Sequence, residues 1–164
     1  METRPAPPAA AVRQCVDLAG EEGVVACRHA LSIALPAARA ASLRRVLALK
    51  LAGLRRWDDV VEVYRGDVRA QPADADAQER LGHALLHVAG RPEEAMGPLQ
   101  EAIRLRPDRA SAHAELGIAL AALGRASEAV AAFAEAARLE PAYFESRPAA
   151  QATLEAARRG QRWP

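Results

Sequence analysis

The chain writes one pattern twice. Leu81, Gly82, Leu85, Gly90, Arg91, Glu94, Ala95, Leu99, Ala102, Leu105 and Pro107 recur in the same order as Leu116, Gly117, Leu120, Gly124, Arg125, Glu128, Ala129, Phe133, Ala136, Leu139 and Pro141. Apolar residues three and four apart, interrupted by a Gly-Arg pair and closed by Pro, specify two helices joined by a turn in each copy. A unit this short cannot bury its apolar stripe alone, so copies must stack on one another. Gly90 stands one residue later in its copy than Gly124 does in the other, which predicts a one-residue-longer turn in the first.

Composition supports an all-helical chain. About a quarter of the residues are Ala, Lys50 is the only lysine beside many arginines, and Asn is absent. Ala and Arg are strong helix formers. Arg in place of Lys without Asn also follows from the codon bias of a GC-rich, bacterial-type genome and carries no function. A formal net charge of +1 argues against nucleic acid as a partner, because gripping a phosphate backbone takes a surplus of cations on one face. No apolar run reaches the roughly 18 residues of a membrane span. Residues 1–8 read as a disordered Pro/Ala-rich lead-in without an apolar signal core. A cytoplasmic location is the expectation on the sequence as given, with the periplasm or secretion as the alternative where a signal peptide has been removed.

The doubled unit, about 34 residues long, resembles the tetratricopeptide repeat. The resemblance implies a right-handed α-solenoid of antiparallel helix hairpins. A single domain over 9–160 would hold a divergent hairpin at 9–36, a weak repeat at 41–74, full repeats at 75–109 and 110–143, and a capping helix at 147–159. Punctuation places helices at about 9–19, 22–35, 37–53 and 57–70. A fifth, capped by Asp74 or Asp76, runs to 89, and others follow from Pro92 to Pro107, to Gly124 and to Pro141. In the weak repeat Arg55 stands where the others carry the turn glycine, which weakens the case for a tight turn there. Gly82 and Gly117 are expected at helix crossings opposite Ala95 and Ala129, with Leu116 in the core. Ala150, Leu154 and Ala157 would cover the last hairpin, as solenoid ends require.

The resemblance also implies a function: a non-catalytic scaffold holding a peptide segment or helix of another protein along a concave face and supporting complex assembly. The first helix of each hairpin lines that face in the family, which assigns it Arg45, Leu49, Glu79, Arg80, His83, His87, Glu115 and Ile118. Members that clamp a C-terminal carboxylate use groove asparagines, so that specialisation is not expected here. Glu79, His83 and His87 follow one another at four-residue intervals along one helix face. Ligand count argues against a metal there, since a fourth ligand would have to come from another helix, with His113 as one candidate. No metal or cofactor is therefore expected.

Cys15 and Cys27 flank the first turn symmetrically, so two antiparallel helices would set them at equal height. A disulfide and a pair of buried thiols are equally compatible with that spacing. No phosphate-binding glycine loop or nucleophile elbow occurs, so no enzyme is expected. The alternatives are self-association through the 9–36 hairpin or the final helix, and a metal- or redox-responsive binding module.

Overall fold

A computed structural model describes residues 8–159, and the lead-in expected at 1–8 falls outside them except for Pro8. Among the described residues the chain is helical, without strands. It divides into two compact units, Met1–Asp67 and Val68–Pro164. The border falls inside the helix that closes the weak repeat.

The first unit holds α1 (Pro8–Asp17), α2 (Gly20–Ser32), α3 (Ala37–Gly53) and most of α4 (Trp57–Ala70). Its core is small and aliphatic, with Ala11, Val24, Ala30, Leu43, Leu47, Leu51, Val60 and Val61 buried. A disulfide joins Cys15 of α1 to Cys27 of α2, and both residues are fully buried. Lys50 has a structural role: its Nζ donates to the carbonyls of Val16 at 3.3 Å and Leu18 at 2.5 Å. It thereby partners carbonyls that the end of α1 leaves without helical donors. On α4, the buried carboxylate of Asp67 accepts from Arg44 Nη1 of α3 at 2.7 Å.

The turn between α3 and α4 is as tight as the glycine-bearing ones. Arg55 itself takes the left-handed conformation at φ 58°, as Gly90 does at 64° and Gly124 at 74°. The amide of Arg56 closes the turn on the Leu51 carbonyl at 2.9 Å, as Arg125 does on Leu120. A side chain at such a φ costs about 1–2 kcal/mol, partly offset by the freedom glycine loses on folding. Arg55→Gly is expected to stabilise the protein by about 0.5–1 kcal/mol, read as a higher midpoint in thermal unfolding.

In the second unit, α5 (Ala75–His83) starts at Asp74, whose side chain accepts from the Asp76 amide, so Asp74 is the cap. The residue added before Gly90 does not lengthen the turn. It is absorbed one turn earlier, where Ala84–Val88 winds as a π-helix, the form an inserted residue takes within a helix. After it come α6 (Pro92–Leu105), α7 (Ala110–Ala122) and α8 (Ala126–Leu139). Pro141 does not simply end the helical run. It opens an additional short helix, α9 (Pro141–Glu145), ahead of α10 (Pro148–Arg158). Ala150, Leu154 and Ala157 of α10 are buried where it packs on α7 and α8.

The two helix crossings differ from the expected small-against-small contact. A Cβ built on Gly82 would lie 2.5 Å from Leu99 Cγ, and one on Gly117 would lie 2.9 Å from the Phe133 ring. Each glycine is thus a hole for the large side chain one turn beyond Ala95 or Ala129, the dense interlocking of a protein interior. Phe133 is fully buried and meets the Phe144 ring of α9 at a centroid distance of 5.9 Å. Leu116 is only half-buried.

Candidate binding surfaces

In the first unit, α3 turns its core positions Leu43, Leu47 and Leu51 inward. That leaves Ser42, Arg45, Val46 and Leu49 on the opposite face by helical periodicity. Val12 and Val16 of α1 stand across from Ala38, Arg39, Ser42 and Val46, enclosing an open, mostly apolar groove of about 370 Å³. The same face of α3 continues to Arg45, whose Nη2 donates to Ser42 Oγ at 3.2 Å, and to Leu49, 73% exposed. Among the described residues the exposed large hydrophobics are Val16, Leu18, Val25 and Leu49, all in this unit. The groove residues on α1 are not among the partner-binding residues expected from the sequence, although the 9–36 hairpin was expected to offer an apolar edge for self-association. Val16 lies one residue after a core cysteine and so faces away from the α2 contact.

In the second unit, the end of α5, the π-helical turn after it and α7 bring three predicted residues together. Nδ1 of His83 donates to Glu115 Oε1 at 3.1 Å, and Nε2 of His87 to Glu115 Oε2 at 2.5 Å. The two rings lie tilted with centroids 4.6 Å apart. Glu115 is 7% exposed. Burial pushes its carboxyl pKa up, but the hydrogen bonds from both imidazoles outweigh this and hold it at about 2. The hydrogen bond to Glu115 raises the pKa of His83 above its ordinary value against the opposing effect of burial. The three side chains form one wall of a cavity of about 250 Å³, closed by Ile118, Tyr143, Arg147 and Ala150.

The remaining expectations divide. Glu79 is held by Arg109, which also binds Asp76, while Arg80 lies 3.7 Å from Asp74. Burial alone would raise the Asp76 carboxyl, yet Arg109, Arg106 and Arg80 bring it below its ordinary range. His113 Nε2 meets the Pro107 carbonyl at 2.9 Å. Glu79 and His113 therefore do not join the two histidines, and the third donor beside them is Glu115. Glu115 and Ile118, expected on a partner-facing wall, are both buried. Arg45, Leu49, His83 and His87 remain exposed. No helix among the described residues is long and apolar enough to cross a membrane.

Residues 74–157 match the family described as the bacterial transcriptional activator domain. No curated protein matches the chain. Among solved structures, MamA from AMB-1 is 26% identical, with a TM-score of 0.58, over 73% of this chain and 68% of that one. The first TPR domain of human RPAP3 is 20% identical at a TM-score of 0.63, over 73% and 91%. The second, solved in complex with the HSP70 peptide SGPTIEEVD, is 23% identical at 0.61, over 70% and 92%. The fold is of the tetratricopeptide α-solenoid class, an architecture of protein-interaction scaffolds.

Proposed function

The chain belongs to the bacterial transcriptional activator domain family, and from that premise we propose that it is a non-catalytic protein-binding module of transcriptional activation. It seats an amphipathic segment of a partner protein in the α1–α3 groove of its first unit. The observation that carries this reading is the groove itself. Val12, Val16 and Val46 offer an apolar floor, and Arg39 and Arg45 flank it on the exposed face of α3. An amphipathic helix fits such a surface by laying apolar anchors one turn apart into the groove. The flanking arginines favour acidic residues at its edges, since complementary charge steers encounter and sets register. Leu49 extends the apolar strip by one more turn of α3.

The test is affinity capture on the immobilised full chain, with wild type and an Arg45→Glu/Leu49→Asp variant side by side. Both positions are exposed, so the helix content read by circular dichroism should not change. A protein held by wild type and bound more than ~10-fold more weakly by the variant is the expected result, as for loss of central anchors. Equal retention by both would remove the groove from the account. A second copy of the chain is the other occupant the exposed apolar residues favour. Light scattering that finds a dimer abolished by Val16→Glu would replace the partner reading with self-association.

A further inference from the structure

We propose that His83, His87 and Glu115 form a binding site for one divalent transition-metal ion of the Zn²⁺ class. Two imidazole nitrogens and a carboxylate oxygen, one from each residue, all lie within 4.8 Å of one another. Two nitrogens and one oxygen are the donor set of a three-ligand zinc site, whose fourth position is left to water. That position has room here, because the three donors border the cavity of about 250 Å³ beside Tyr143 and Arg147.

Two further observations support convergence on an ion rather than a casual polar contact. Glu115 is a buried carboxylate, and both of its oxygens are directed at imidazole nitrogens. Two neutral imidazoles and one carboxylate leave a single negative charge that a divalent cation overcompensates by one, a balance suited to binding water or an anion at the open position. The other observation is the π-helical turn Ala84–Val88, which begins directly after His83 and contains His87. Isolated π-turns inside α-helices are rare and occur frequently at functional sites. The corresponding helix α7, without the extra residue, runs as ordinary α-helix. The two histidines, four residues apart across this turn, meet the same carboxylate. Nitrogen donors select against Mg²⁺ and Ca²⁺, which take oxygen ligands.

The experiment is a titration of the chelator-treated, disulfide-intact full chain with Zn²⁺ by calorimetry, and with Co²⁺ by visible absorption. The proposal expects one ion per chain, Co²⁺ bands typical of four- or five-coordination, and a rise in melting temperature on adding Zn²⁺. Loss of outer partners alone weakens metal sites 10–100-fold. His87→Ala, which removes a direct and exposed ligand, is therefore expected to weaken binding at least ~100-fold and to abolish the thermal shift. Glu115→Gln should do the same, while His29→Ala and excess Mg²⁺ should change nothing. Absence of Zn²⁺ binding by the folded wild type, or binding undiminished in His87→Ala, overturns the proposal.

Discussion

Gly117→Leu is expected to destabilise the protein by about 3 kcal/mol or more, the upper end of the cost of overpacking a core. A Cβ at this position already lies 2.9 Å from two ring carbons of Phe133 and 3.0 Å from a third. The ring cannot retreat, because Phe133 is fully buried and Phe144 stands behind it. Helix propensity works the other way by about 0.8–1 kcal/mol, since leucine is the better helix former, but the collision outweighs it. At roughly 2–4 °C per kcal/mol the loss lowers the melting temperature by about 6–12 °C. Gly53→Ala provides the contrast. A Cβ there meets nothing within 4 Å, so the substitution should stabilise by about 0.5–1 kcal/mol. If Gly117→Leu and Gly53→Ala shifted stability alike, glycine would be serving flexibility at both sites and the interlocked crossing would be wrong.

The second large effect is at the ion pair of the first unit. Asp67 is 4% exposed and has Arg44 as its one ion-pair partner among the described residues, while its Oδ2 is buried without a hydrogen bond. Removing one member of a buried pair leaves the other charge uncompensated, at a cost of about 3–5 kcal/mol. Arg44 is 27% exposed, so water reaches the pair and the lower figure, about 3 kcal/mol, applies to Arg44→Ala. Adding Asp67→Asn removes the orphaned charge, and the double variant should recover a substantial part of the loss. Chemical denaturation of the four proteins in this cycle reads the coupling directly. A double variant no more stable than Arg44→Ala would show that the arginine acts through packing alone.

The parts of this fold that were legible in the sequence are those punctuated by proline and glycine. Helices expected at 37–53 and 57–70 appear as Ala37–Gly53 and Trp57–Ala70. Pro36, the Gly-Arg turns and Pro107 each remove a helical option for backbone reasons alone. The misses arise where one signal serves two outcomes. Pro141 ends α8 but, with its fixed φ, is equally suited to begin a new helix, and it begins α9. One extra residue before Gly90 fits either a longer turn or a wider helical turn. The structure takes the second arrangement, with Ala84, Leu85 and Leu86 buried in it. At the crossings, Ala95 and Leu99 are one helical turn apart on the same stripe, so spacing alone does not say which one enters the notch at Gly82. Glu115 was expected on a partner-facing wall and is buried against the two histidines instead. Its true neighbours depend on how α7 stacks beside α5 and on the cover provided by α10, neither of which is local. Arg55 is the reverse case, a residue unsuited by local preference to a left-handed turn that the surrounding hairpin imposes.

Hydrogen–deuterium exchange of the full chain, with and without a captured partner bound, tests the central claim most directly. The account predicts slowed exchange in Pro8–Asp17 and Ala37–Gly53, the helices that wall the groove. Protection confined to α6 and α8, with α1 and α3 unchanged, would contradict it.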